Sequence, residues 1–383
     1  MVGWRVATAT ALYGPAGFYR RAGPGPAAHF RTSVHASPLY AAALCRLLVA
    51  VDEALGHPDP LDVVDVGAGR GELLLGLRAA LGDNQGEHSE PHRRVRLTGV
   101  DIAPRPVDLP AEIGWTSEVP AGVVGLVVAN EWLDDLPVDV VVATPDGPRL
   151  VLVDPATGVE SLSGPVPSVA DRGWLERWWP LSVPGDRAEV GRPRDEAWAA
   201  TVAAVRRGVA LAVDYGHTRE QRLARGFAAG TLAGYRDGRL VPPVPDGSCD
   251  VTSHVALDAC AAAADAADAA SGRGGRASAL ASASATRSAS ASASRLGTVI
   301  CTQREALALL GVGTSPEVGE RPAYDLAHRD PRGYLAALVR SAEAAELTAR
   351  EGLGSFLWLA QAVELPAVPL LAPFSHLLAP PLP

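Results

Sequence analysis

The run Leu61-Asp-Val-Val-Asp-Val66 passes directly into Gly67-Ala-Gly-Arg-Gly71 and then into Glu72-Leu-Leu-Leu-Gly-Leu-Arg-Ala-Ala-Leu81. A β-branched stretch, a glycine break and an apolar stretch at helical spacing read as strand, turn and helix. This junction constrains the chain more than any other feature, because strand, turn and helix form the building unit of an open α/β sheet. In such sheets ligands gather at the carboxyl ends of the strands. The pattern Asp65-x-Gly67-x-Gly69-x-Gly71 bares the backbone there, since glycine has no Cβ and tolerates positive φ, and the helix N-terminus that follows suits a carboxylate. Its third glycine falls one residue earlier than in the dinucleotide fingerprint, which argues against a nicotinamide. Asp65, Gly67, Gly69 and Gly71 are therefore the expected nucleoside-cofactor site, with a plain glycine turn or another cofactor as the alternative.

Further strands follow the same logic. Val95-Arg-Leu-Thr-Gly-Val100 ends at Asp101, Val123-Val-Gly-Leu-Val-Val-Ala129 ends at Asn130-Glu131, and Val209-Ala-Leu-Ala-Val213 ends at Asp214. A helix is predicted from Ser37 to Leu55, started by Ser37-Pro38, and another around Asp195 to Arg207. Residues 1–35, rich in glycine, proline and aromatics, read as an ordered loop region. Pro145-Asp-Gly147 and Ala156-Thr-Gly158 punctuate strand-like runs over 138–163, so an antiparallel excursion is expected within an otherwise mostly parallel α/β sheet. Asp101 is placed to accept hydrogen bonds from both ribose hydroxyls, or else to cap a helix before Pro104. It lies further from the turn than the usual ~20 residues, and the polar loop at 82–94 accounts for the difference.

The chain has 383 residues, 48% of them hydrophobic, enough to bury a large core. A net charge of −9 and the absence of a basic stripe leave no footprint for nucleic acid. All 34 basic residues are arginines. Without lysine, Schiff-base chemistry, pyridoxal phosphate anchoring and a Walker-type phosphate loop are excluded. Cys45, Cys249, Cys260 and Cys301 are scattered and read as reduced thiols, with no metal-ligand spacing. There is no apolar stretch of about 18 charge-free residues and no signal-peptide pattern, so a cytoplasmic protein without membrane spans is expected.

Asn130-Glu131-Trp-Leu-Asp134-Asp-Leu-Pro137 follows a strand at the edge where cofactor and acceptor should meet. A carboxylate there could orient or deprotonate an amine or guanidinium, which makes Glu131 the first catalytic candidate and Asp134 the second. Solvated helix caps are the competing reading. His217 could add a base and Tyr215 a stacking face, against a simple strand-end turn. Trp174, Trp178 and Trp179 would form either a docking surface or a core under the excursion.

Taken together, Ala11-Leu-Tyr-Gly-Pro-Ala-Gly-Phe-Tyr19, Phe30-Arg-Thr-Ser33, the glycine turn, Ala129-Asn-Glu-Trp-Leu-Asp-Asp-Leu-Pro-Val138, Val213-Asp-Tyr-Gly-His217, Gly230-Thr-Leu-Ala-Gly-Tyr235, Asp250-Val-Thr-Ser-His-Val255 and Thr302-Gln-Arg-Glu305 resemble the MidA-like methyltransferases. That family includes the mitochondrial complex I assembly factor that methylates a protein arginine. The resemblance runs from about residue 10 to about 362. It implies a Rossmann-like class I methyltransferase fold, S-adenosyl-L-methionine as cofactor, and a protein side chain, arginine among the choices, as acceptor. It also implies that Phe30, Thr32 and Ser33 lie over the cofactor and that Asn130 and Glu131 line the active site. The family continues Thr-Ser-Pro-Glu-Ile-Ser where this chain has Thr32-Ser-Val-His-Ala-Ser37, so a glutamate near position 35 is missing.

The expected organisation is a cofactor-covering segment at 1–36 and a methyltransferase domain at 37–260 and 296–365, with its β insertion at about 138–190. An Ala/Ser-rich insertion at 261–295, helical in its alanine-rich first half and disordered beyond, and a proline-rich tail at 366–383 complete it. The expected partner is a protein substrate, with a homodimer allowed and neither nucleic acid nor membrane. The readings left open are a protein methyltransferase, a small-molecule methyltransferase or nicotinamide enzyme on a similar fold, and a cofactor-binding assembly or interaction factor without turnover.

Overall fold

The computed structural model describes residues 1–20, 32–83, 93–166, 168–271, 296–315 and 318–374. The chain forms two compact units. One comprises Thr32–Asn130, Ala199–Val213 and Ala264–Pro383; the other comprises Met1–Arg31, Glu131–Trp198 and Asp214–Ala263.

A seven-stranded sheet organises the first unit, in the order Gly297–Thr302, Leu357–Val363, Val205–Asp214, Val123–Asn130, Leu61–Val66, Val95–Val100, Gly114–Thr116. Leu61–Val66 pairs in parallel with neighbours on both sides, and Val205–Asp214 and Gly114–Thr116 extend the parallel set. Gly297–Thr302 and Leu357–Val363 run antiparallel to each other. All six residues of Leu61–Val66 are buried, as expected for a parallel strand covered on both faces. The predicted α/β class, mostly parallel with antiparallel additions, is the observed one.

The helix Pro38–Leu55 begins where Ser37-Pro38 predicts. Ser37 Oγ accepts from Leu39 N at 3.0 Å, and the helix ends at Gly56 in the left-handed conformation, φ 76°. Leu44, Leu47, Leu48 and Val51 on it are completely buried, and each contributes about 2 kcal/mol by leaving water. The helix predicted around Asp195 to Arg207 spans Arg192–Ala204 instead, and the strand after it starts at Val205. Pairing of Val205 with Val123 and of Gly208 with Gly125 draws the two arginines between them into the sheet, overriding their helix propensity.

In the second unit the predicted antiparallel excursion is a five-stranded sheet. It pairs Val140–Thr144 with Gly147–Val153 and with Arg187–Glu189, and Gly147–Val153 in turn with Glu160–Pro165 and with Val2–Gly3. Residues 1–35 are not all loop, because Val2–Gly3 is a strand and Trp4–Tyr13 a helix. Trp4 and Ala7, one turn apart, are buried in a cluster with Val140, Val151, Val153 and Val251; the dense glycines and prolines further on hide this period in the sequence. Trp174, Trp178 and Trp179 pack with Val141, Val166, Ala188 and Val190, which is the core reading and not the docking one. The alanine-rich helix is present over Leu257–Ser271; residues 272–295 of the Ala/Ser-rich insertion and 375–383 of the tail lie outside the described residues.

All four cysteines are free and buried. Among the described residues no helix is long and apolar enough to cross a membrane, and no cluster of three or more potential metal ligands occurs.

Candidate functional site

In the first unit the glycine turn is tied back to the neighbouring strand. Gly67 N and Ala68 N both donate to Val100 O, at 2.9 and 3.1 Å, and Gly71 N donates to Ala68 O at 2.7 Å before the helix Glu72–Asp83 begins. Gly67, Gly69 and Gly71 all have positive φ, at 73°, 56° and 83°. A Cβ built on Gly69 meets only Glu72 Oε2, at 3.6 Å, whereas one on Gly71 comes within 2.6 Å of Leu109 Cδ1. Gly69 therefore leaves open space for a ligand beside the helix N-terminus, and Gly71 is needed for packing. Bare turn, helix N-terminus and downstream acid together fit an adenosyl sulfonium with a carboxylate tail.

Asp101 Oδ2 accepts from Gly69 N at 2.9 Å and Oδ1 from Ala103 N at 2.8 Å. Each carboxylate oxygen keeps a second lone pair for a hydroxyl donor. Burial raises the Asp101 pKa, against the lowering effect of those backbone N–H groups. Asp65 is buried in its strand, and burial, with Glu72 and Asp101 nearby, holds its pKa well above the usual range.

The segment before the first long helix also belongs to this unit. Thr32 Oγ1 and His35 Nδ1 are 2.7 Å apart, and His35 Nε2 lies 3.5 Å from Glu72 Oε1. Glu72 Oε2 in turn accepts from Arg70 N at 3.0 Å. Histidine thus stands where the family's glutamate was expected and reaches the glycine turn through Glu72. Ser33 is completely buried and donates to Gln303 Oε1 at 3.1 Å, so its hydroxyl is used in packing this segment onto the C-terminal part of the unit. Phe30 lies outside the described residues. Asn130 ends its strand and accepts at Oδ1 from Tyr40 OH at 2.5 Å, while the Tyr40 ring packs edge-on against Trp358. Sequence reasoning missed Tyr40; its place next to Leu39 at the start of the helix was the available signal.

In the second unit Glu131 follows directly in sequence and adopts φ 50°, the left-handed region that non-glycine residues avoid, at a cost of order 1 kcal/mol. Tyr215 OH lies 3.4 Å from Glu131 Oε2. Asp214 Oδ2 accepts from the N–H groups of Leu133 and Asp134, at 3.0 and 3.2 Å. Asp134 is buried and its Oδ2 accepts from Thr252 Oγ1 at 2.7 Å. Tyr19 OH bridges Asp135 Oδ2 at 2.5 Å and Asp250 Oδ1 at 3.2 Å. Burial raises the pKa of Asp134, Asp135, Asp214 and Asp250, Asp250 to about 7. Asp134 is thus a buried tether of the loop, and Glu131 the better placed carboxylate. His217 is completely buried, accepts at Nδ1 from Arg222 at 2.8 Å, leaves its Nε2 without a hydrogen-bond partner and has its pKa pushed well down by burial, which makes it a neutral core histidine more than a base.

Residues 43–274 match the family described as "Putative S-adenosyl-L-methionine-dependent methyltransferase". Two crystal structures from Burkholderia thailandensis share the fold. One is a "likely methyl transferase" bound to S-adenosyl-homocysteine, with a TM-score of 0.74 at 22% identity over 98% of this chain and 92% of that one. The other, an uncharacterized protein of the same superfamily, has a TM-score of 0.73 at 21% identity over 98% and 92%. No curated protein matches the chain. The fold and the matched family define an S-adenosyl-L-methionine-dependent methyltransferase. Within that class the chain belongs to the MidA-like family, which the motifs resemble.

Proposed function

We propose that the chain methylates a protein side chain, arginine being the acceptor that its motifs favour, with Glu131 as the group that receives and orients the acceptor nitrogen. The observation that carries this reading is the strained Glu131 backbone, φ 50°, at the end of the strand Val123–Asn130. Strain of this kind persists only where the surroundings over-determine it, and it concentrates at functional sites. A carboxylate pairs with a guanidinium through charge-assisted hydrogen bonds and can accept its proton.

S-Adenosyl-L-methionine supplies the methyl group. Gly67, Gly69 and Gly71 would give the cofactor access to backbone at the helix N-terminus, Asp101 would hold its ribose, and Thr32 and Asn130 would border it. Asp65 would act from beneath the turn. Asp134 and Asp214 hold the loop that carries Glu131. Tyr215 OH, 3.4 Å from Glu131 Oε2, also limits the motion of this side chain, which favours a single approach of the acceptor nitrogen.

The test is methyl transfer to an acetylated Gly-Arg-Gly peptide amide and to protein extract, with wild type and Glu131→Gln. Loss of transfer in the variant, with cofactor binding intact, supports the assignment; full turnover removes Glu131 from it. Cofactor binding by wild type with no transfer to either acceptor would instead favour an assembly factor without turnover, in line with His35 standing at the glutamate position.

A further inference from the structure

We propose that Arg194 is a positioning residue for methyl transfer, acting through the loop that carries Glu131; this rests on the reading of Glu131 given above. Arg194 is 3% exposed and sits in the first turn of the helix Arg192–Ala204. A cation in that place is unfavourable to the helix itself, whose N-terminus carries partial positive charge. Its reason for being there is therefore elsewhere, and the hydrogen bonds show where.

Nε donates to Leu136 O at 3.1 Å, Nη1 to Ser253 O at 2.9 Å and His254 O at 3.1 Å, and Nη2 to Asp134 O and to Ser253 Oγ at 3.0 Å. Those bonds use all five N–H groups that a guanidinium offers. All five go to neutral oxygens, four of them backbone carbonyls, on two loops only. The loop 131–137 is thus held from both sides: its N–H groups at Leu133 and Asp134 go to Asp214, and its carbonyls at Asp134 and Leu136 go to Arg194. A loop fixed in this way can keep Glu131 in the left-handed conformation. Lysine offers three donors from one point and cannot span both loops in a plane.

The test uses the full chain carrying Arg194→Lys or Arg194→Ala. Amide deuterium exchange is followed over 131–137 and over the strand Gly147–Val153 of the same unit, S-adenosyl-L-methionine binding by calorimetry, and transfer to the Gly-Arg-Gly peptide kinetically. Both variants should exchange faster at 131–137 than wild type while exchange at 147–153 and cofactor affinity stay unchanged. In Arg194→Lys, kcat should fall about tenfold or more with KM unchanged. Added methylguanidinium should restore protection of 131–137 in Arg194→Ala, and methylammonium should not. A merely structural arginine would loosen 131–137 and 147–153 in step and show no such rescue, and that result overturns the proposal. If the peptide is not methylated by wild type, exchange and rescue still decide. Full turnover in Glu131→Gln would refute the role of Glu131 while leaving the measured hold of Arg194 on the loop intact.

Discussion

The backbone N–H of Gly69 donates to Asp101 Oδ2 at 2.9 Å, joining the middle of the glycine turn to the acid at the end of the adjacent strand. The residue that leaves room for a ligand and the residue expected to hold the ribose thus fix each other before anything binds.

Replacing Gly69 by valine tests the turn. Gly69 has φ 56°, which a β-branched residue adopts only with strain, and the new side chain would occupy the open space beside Glu72. Calorimetry should show S-adenosyl-L-methionine affinity lowered at least about tenfold. Unchanged affinity would place the cofactor elsewhere.

Asp101→Ala removes the acceptor of the Gly69 and Ala103 N–H groups together with the proposed ribose contact. At about 1.5–3 kcal/mol for hydrogen bonds to a charged group, affinity should fall roughly ten- to a hundredfold. The variant should remain folded by circular dichroism, since the carboxyl is only partly buried. An affinity equal to that of wild type would show that the acid only caps the turn.

Tyr40→Phe deletes one hydroxyl, the one that donates to Asn130 Oδ1. The ring keeps its edge-on contact with Trp358. Denaturant unfolding should show a loss of about 1 kcal/mol, with a weaker grip on the cofactor if Asn130 borders it. A stability equal to that of wild type would mean that the bond contributes nothing net.

Asp195 gives a pH dependence of defined sign. Burial lifts its pKa from 3.8 to about 7, while Trp174 Nε1 donates to it at 2.6 Å. Between those two values the folded chain binds more protons than the unfolded chain, so this stabilisation is complete below the lower value and is lost as pH rises to the upper one. Compared at about pH 5 and about pH 8, wild type should lose stability relative to Asp195→Asn by an amount of order 2 kcal/mol. His217, with its pKa depressed, titrates in the opposite sense, but it is common to both proteins and cancels in the difference. A constant difference across pH would refute the assignment.

Much of this was legible in the sequence, for physical reasons. Leu61–Val66 and Val123–Asn130 are fully buried or nearly so, and parallel strands in that environment announce themselves as largely apolar, β-branched runs, while the half-buried Val95–Val100 was marked by its β-branched ends and the acid that follows it. Glycine is the residue type that reaches positive φ without strain, so the spacing of Gly67, Gly69 and Gly71, all of which adopt it, marked the turn in the sequence. What escaped depends on distant pairing. Trp4–Tyr13 is helical partly because Trp4 packs against strands about 140 residues later in the chain, and no local period reports that. Ser33 looked like a ligand contact by its motif, but its hydroxyl meets Gln303, 270 positions away in sequence. Arg194 was invisible as a clamp because its acceptors are backbone carbonyls, which every residue possesses.

The pairing of Val2 with Val153 and Gly3 with Leu152 has a consequence for biosynthesis. The strand Val2–Gly3 must wait for residues about 150 positions later in the chain before its partner exists, and closing so wide a span makes assembly of this half intrinsically slow. Trp4 and its apolar neighbours stay exposed during that interval.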